Sequence, residues 1–270
     1  MDNRNASAAD GWERMENKME MQEIIALVKE TKAFVDNRER AGHVKVKGLA
    51  DYVTQVDTDI QSFLARELGN RFPDIQFLGE EEGLHEMSGD TYWILDPIDG
   101  TTNLIHDYQH SVVSLALYEK GEITLGIIYD PFREDVYHAQ KGTGSFLNGV
   151  PIHVSDAETL SETIITVGTS PYDREVADEN FKRIRRVFDH AQDIRRTGTA
   201  AMDLAYVACG RTGGVFEPKL SPWDFAAGQL LVKEAGGRVT DFAGEELDFL
   251  QRGSVVASNG KVHEELRGLL

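Results

Sequence analysis

Apolar residues recur at helical spacing twice near the start of the chain. Ile24, Leu27, Val28, Phe34 and Val35 fall on one face of a helix over 18–37, and Ile60, Phe63, Leu64 and Leu68 make a second amphipathic helix. Thr54 and Asp57 stand before the second helix with the spacing of a capping box. The segment between the helices, 38–50, is a polar loop with two glycines and mixed charge. From "FLGEEEG" onward the period shortens to that of strands. "SVVSLALYEKGEITLGIIYDP" is two apolar strands joined around Lys120-Gly121, and "DVYHAQKGTGSFLNGVPIHV" continues the pattern with Asn148-Gly149 as a hairpin turn.

Past about residue 160, strand-like and helical stretches alternate. "ETIITVG", "DIRRTG" and "GGVFEP" have strand character; 174–190, "TAAMDLAYVACG" and "SPWDFAAGQLLVKEAGG" have helix character. The last of these carries Ser221 as N-cap, Pro222 in the first turn and Gly236-Gly237 as a stop. "RVTDF", "SVVAS" and a final helix close the chain. With no repeat or linker between the halves, the expected organisation is α+β: subdomains 1–155 and 156–270 in one structural unit, sharing a cleft between layered helices and sheets. Residues 1–18 are polar and expected to be a flexible extension.

Composition narrows the setting. The 270 residues are ample for a core, and a single cysteine, Cys209, excludes an internal disulfide and suits a reducing cytosol. No leader pattern opens the sequence and no apolar run approaches bilayer length, so a soluble cytoplasmic protein is expected. The formal charge of −18 disfavours nucleic acid and anionic membranes as partners. It also sets a problem for any anionic substrate, for which bound cations are the usual remedy.

Acidic residues stand where elements start or stop: Asp57, Glu80–Glu82, Asp96 with Asp99, and Asp224. Such positions can converge, and hard ions such as Mg²⁺ take carboxylate and carbonyl oxygens. A tight turn at Pro97–Gly100 would aim Asp96 and Asp99 the same way and expose the Ile98 carbonyl. Taken singly, Asp57 and Asp224 are equally well explained as helix caps, Glu80–Glu82 as a solvated charge run and Asp99-Gly100 as a turn. The Asp96–Asp99 pair resists that account, because a buried strand end normally avoids two unpaired like charges. At the level of residues, metal site and capping both remain open.

"GEE" (79–81), "DPIDGTTN" (96–103) and "PWDFAAG" (222–228), with the weaker "DYVTQVD" (51–57) and "RRTGTAA" (195–201), occur in the order and spacing of the inositol monophosphatase family. The chain resembles these lithium-sensitive, Mg²⁺-dependent phosphatases from about Ile24 to its end, departing at Leu104, where the family usually has an aromatic. The resemblance implies a layered α-β-α-β-α sandwich, with a mostly antiparallel N-terminal sheet and a smaller mixed C-terminal sheet. It also implies a homodimer and hydrolysis of an inositol or related sugar phosphate by direct in-line attack of metal-activated water. Fructose 1,6-bisphosphate, a nucleotide phosphate or histidinol phosphate is the alternative substrate, and a non-enzymatic regulatory role the rival from another class.

Two or three Mg²⁺ per site follow from the same resemblance. Glu80, Asp96 and the Ile98 carbonyl would hold the first, and Asp96, Asp99 and Asp224 the second. Thr101 would orient water, with Asp57 as proton acceptor or as ligand of an outer third ion. The N–H groups of Gly100 and Thr101 would cradle phosphate, while Gly198, Thr199, Ala200 and Glu217 would face the rest of the substrate. Arg195 and Arg196 would contact substrate or pair with local acids, at least one doing the latter. His106 and His110 lack a zinc-site context, Cys209 belongs to an apolar helix face, and "GTGSFLNG" is hairpin chemistry rather than a phosphate loop. The basic 38–50 loop, with Arg38, Arg40, Lys45 and Lys47, is expected to act as a lid.

Overall fold

A computed structural model of the protein describes residues 21–37, 42–49, 51–82, 89–249 and 251–270. The expected 1–18 extension and positions 38–41 and 50 of the expected lid lie outside them. The described chain begins in helix α1 (21–30). Thr31 interrupts it, its hydroxyl donating to the Val28 carbonyl at 2.6 Å, and α2 (Lys32–Val35) follows. The segment read as a loop contains a strand. β1 (Val44–Gly48) pairs antiparallel with β2 (Asp51–Thr54), and every β1 residue is exposed, so no apolar alternation marked it. Thr54 then caps α3 (Gln55–Arg71), with both halves of the capping box formed by Thr54 and Asp57.

Seven strands build the first sheet in chain order: β3 (Gln76–Gly79), β4 (Thr91–Asp99), β5 (Val112–Glu119), β6 (Glu122–Asp130), β7 (Asp135–Gln140), β8 (Gly144–Leu147) and β9 (Val150–Ile152). Only β3 and β4 run parallel. Helix α4 (Thr101–Ile105) fills the β4–β5 connection. Lys120-Gly121 and Asn148-Gly149 make the expected turns, all four residues with φ between 51° and 97°, which glycine and asparagine tolerate best.

The second sheet is mixed, in the order β11-β10-β12-β14-β13. It comprises β10 (Ile164–Val167), β11 (Asp193–Arg195), β12 (Gly214–Leu220), β13 (Arg238–Thr240) and β14 (Gly253–Ser258). Its helices are α5 (Ala177–His190), α6 (Ala200–Ala208), α7 (Pro222–Glu234) and α8 (His263–Arg267).

Three apolar clusters stack these elements into the layers α-β-α-β-α. Along β4, Trp93 and Leu95 pack with Val28, Ile60 and Leu64 of α1 and α3, while Tyr92 and Ile94 face the opposite way, toward α6 and α7. The period of two thus serves two cores at once. A third cluster seals α5 and α8 against the far face of the second sheet through Ile184, Val187, Phe216, Val256 and Leu266. Helix α7 lies between the sheets, which explains its all-round burial from Phe225 to Val232.

Small residues set how close that central helix can come. A Cβ at Gly126 of β6 would stand 2.8 Å from the Ala227 carbonyl oxygen, and one at Gly228 would overlap the Leu204 side chain of α6 at 2.5 Å. Gly126→Ala should therefore lift α7 from the sheet and destabilise the fold by about 1–3 kcal/mol, the usual cost of overpacking. Urea denaturation checks this, and an unchanged midpoint would mean that α7 has slack.

Candidate active site

Strand β4 does not stop at Asp96. It continues through Asp99, and the register jumps from Asp96↔Ser114 to Asp99↔Val112, so three steps on β4 match two on β5. The expected tight turn at Pro97–Gly100 is instead a bulge followed by the turn at Gly100. The cause is Pro97, which has no N–H to give the ladder. The Ile98 N–H is turned back on the Asp96 carboxylate at 2.9 Å. Gly100, at φ 94°, then reverses the chain into α4, where a Cβ would press on the Thr199 hydroxyl at 2.8 Å. The Ser111 hydroxyl donates to the Gly100 carbonyl at 2.8 Å, fixing the turn from the next strand.

Three carboxylates here are also helix caps. Asp57 accepts from the Thr54 N–H at 2.9 Å, Asp224 from the Ser221 N–H at 2.7 Å, and Asp99 from the Ala201 N–H at 2.6 Å, in the first turn of α6. Capping uses one oxygen of each, Oδ2 in all three cases, and leaves the other. That of Asp57 accepts the Thr101 hydroxyl at 3.0 Å, and the same hydroxyl lies 3.1 Å from the Ile98 carbonyl. The starts of α3, α6 and α7 therefore point their positive ends into one place.

Around it is a cleft of about 340 Å³ lined by Glu80, Asp96, Ile98, Asp99, Gly100, Thr101, Gly198, Ala200, Glu217 and Asp224. The fold brings these expected residues together, with Asp57 behind Thr101. Thr199 is buried, donating to the His110 carbonyl at 2.9 Å, and supports the cleft from beneath. Glu217 is not the exposed strand-end acid its position allows. Its carboxylate occupies the space left by Gly168, where any Cβ would overlap it. Tyr52, Ser170 and Tyr172 also line the cleft; Tyr52 falls in the quoted 51–57 segment without a role assigned to it, and no pattern in the sequence marks the other two. Arg195 pairs with Asp193 at 2.5 Å, whereas Arg196 reaches the cleft wall and bonds the Thr169 hydroxyl at 3.2 Å. His110 is buried while His106 lines the cleft, and Cys209 packs partly buried at the end of α6.

The electrostatics are severe. Burial, then Glu80, Asp99 and Asp224, push Asp96 well above the usual carboxylate range; burial and Asp224 do the same to Asp99, against the Ala201 N–H. Burial raises Glu80 to about 8 despite Lys47, and raises Asp224 and Asp57 to about 6 each. Lys47 lies 3.7 Å from Glu80 and 2.8 Å from Glu81, which brings β1 against this side of the cluster. Glu80, Asp99 and Asp224 crowd Asp96, and their charges disfavour its ionised form. Among the described residues the acids do not close into a finished ligand cage. Four crowded, oxygen-only donors whose charges repel one another nevertheless suit hard divalent cations.

The profile of the inositol monophosphatase family matches residues 13–270. The chain is 43% identical over 204 residues to Nus factor SuhB of Xylella fastidiosa, covering 76% of this chain and 74% of that one. It is 40% identical over 228 residues to inositol-1-monophosphatase of Rhizobium meliloti, covering 84% and 85%. A solved IMPase/NADP phosphatase, complexed with Mg²⁺ and phosphate, superposes with a TM-score of 0.83 at 26% identity over 94% of this chain and 95% of that one. The layered fold and its acidic cleft are those of a phosphatase. The chain belongs to the inositol monophosphatase family.

The carboxyl groups of the cleft predict how stability should vary with pH. An acid whose folded pKa is raised favours the fold while protonated and weakens it as pH rises through the folded value. Treated with chelator, the protein should melt at progressively lower temperature between about pH 5 and about pH 9, across the raised values of Asp57, Asp224 and Glu80. Added Mg²⁺ should restore stability most at the alkaline end. A chelated protein with a flat melting profile over that span would contradict the crowding described here.

Proposed function

We propose that the protein is an Mg²⁺-dependent phosphate monoester hydrolase acting on inositol monophosphate or a related sugar phosphate, with water attacking phosphorus directly and in line. What supports this most is the convergence of Glu80, Asp96, Asp99 and Asp224, from separate elements, in one cleft beside the Thr101–Asp57 pair. Glu80, Asp96 and the Ile98 carbonyl would hold one ion, and Asp96, Asp99 and Asp224 a second, with Asp57 available to an outer third. Bound Mg²⁺ supplies Lewis acidity, which lowers the pKa of water and offsets charge on phosphoryl oxygens.

The chain's own groups would do the rest. The Thr101 hydroxyl orients the attacking water, and Asp57, 3.0 Å away, accepts its proton through that hydroxyl. The N–H groups of Gly100 and Thr101 hold the phosphate. Glu217 accepts hydrogen bonds from vicinal hydroxyls of the leaving group, on the side lined by Gly198 and Ala200 and supported by Thr199. The β1 ribbon, through Lys47, covers the Glu80 side of the cleft. A cytoplasmic homodimer is the form in which we expect it to work. The name of the Xylella relative favours a second reading, service as a Nus factor, which would not need turnover.

Phosphate release from a panel of esters, with Mg²⁺ or with chelator, tests the proposal. Inositol and sugar phosphates should be cleaved only with Mg²⁺, and no release from any ester would overturn it. Asp96→Asn keeps the shape but removes the shared charge. It should lower kcat by about a thousandfold or more while leaving the metal-free fold intact or slightly firmer, because a like-charge contact is relieved. Activity within a fewfold of wild type at saturating Mg²⁺ would remove Asp96 from the mechanism. Glu217→Gln should change the ratio of kcat/KM between esters and leave Mg²⁺ affinity alone; an equal loss on every ester would argue against a substrate-side role.

A further inference from the structure

Helix α7 is buried on every side from Phe225 to Val232, and one residue in that run is polar. Gln229 is only 4% exposed, yet its side-chain amide has no hydrogen-bonding partner among the described residues. Burying an amide without a partner is costly, so its surroundings must account for it. Gln229 lines a cavity of about 420 Å³ between α7, the turn at Gly121 and the chain after β13. None of the residues around this space lines the acidic cleft.

The walls are apolar and aromatic. Ile123, Leu230 and Leu247 line the cavity from the core, and Phe249 adds a ring. Phe249 belongs to a run of four aromatic side chains. Tyr92 stacks on Tyr118 at 4.5 Å, Tyr118 meets Phe249 edge-on at 6.0 Å, and Phe249 leans on Phe225 at 5.9 Å. Every charged residue of the lining already has a partner. Lys233 pairs with Glu246 at 2.7 Å, Lys141 pairs with Glu122, and Glu234 accepts the Gly142 and Gly144 N–H groups at 2.8 Å each. A charged ligand would have to compete with one of these contacts, and an uncharged one would not.

A carboxamide presents an acceptor and a donor side by side, so its complement is an edge that carries a donor beside an acceptor. Planar heterocycles of the adenine and uracil type have that edge, and their faces pack on aromatic rings. We propose that this cavity is a second ligand site, for an uncharged planar heterocycle held at its edge by the Gln229 amide and at its face by Phe249. Such a site would stand whether or not the acidic cleft hydrolyses phosphate esters, since the two spaces share α7 but no lining residue.

Calorimetric titration of the full chain with adenine and with uracil tests the site. At least one base should bind wild type saturably, at one per chain. Gln229→Leu keeps the bulk of the side chain without its amide, and should weaken that binding about tenfold or more. Added Mg²⁺ and inorganic phosphate should leave the Kd within about twofold, because they have no place in this cavity. Without ligand, Gln229→Leu should melt no lower than wild type, since it removes an unpaired buried amide. No saturable binding of either base, or equal affinity in Gln229→Leu, would overturn the site. Competition by Mg²⁺ with phosphate would overturn it too, by placing the base in the acidic cleft. A Gln229→Leu protein that melts well below wild type would show that the amide supports the fold, and the site would fall with that result.

Discussion

Burying several carboxylates in one place is costly unless something positive faces them, and the architecture of this protein is arranged around that requirement. Helices α3, α6 and α7 all start at the cleft, and each gives a backbone N–H to one of the acids. The partial positive charge at those helix ends offsets part of the repulsion. The remainder is visible in the raised carboxyl groups, and it is the part that a divalent ion would neutralise. The same carboxylates that start helices thus line the cleft.

Placing three helix starts together demands layers. Helix α7 can present Asp224 to the cleft because it is clamped between both sheets, in contact with Gly126 on one side and with α6 on the other. Its apolar residues cannot favour one face, because both faces are buried. Strand β4 solves the corresponding problem for Asp96 and Asp99. Its alternation feeds two cores up to Leu95, and then Pro97 breaks the ladder, so that both acids emerge near one point.

Much of this was legible in the chain. Capping boxes, hairpin turns and the long apolar strands announced themselves because each has a local cause, a hydroxyl three residues before an acid or an Asn-Gly pair. The Asp-Pro-Ile-Asp-Gly-Thr-Thr-Asn string located the centre of the site. Other features have no local cause. The exposed strand β1 is held by pairing with β2 rather than by burial, so its pattern resembles a loop. The bulge at Pro97 was mistaken for a turn because only the partner strand defines register. Choosing between cap and ligand for Asp57 and Asp224 posed a false alternative, since a carboxylate has two oxygens and can serve both ends. Tyr52 and Tyr172 reach the cleft through long-range packing that spacing cannot report.

The central position of α7 also bears on how the protein comes into being. During synthesis, β4 and its two aspartates leave the ribosome well before the segment that forms α7. Until that helix is made and docks, the early acids lack Asp224 and the helix start that carries it. Capture of the cation proposed for this site would thereby be deferred to the last stage of assembly, when both sheets have closed on α7. A chain stalled or truncated before that point would carry the Asp-Pro-Ile-Asp motif in full and still lack the completed cleft.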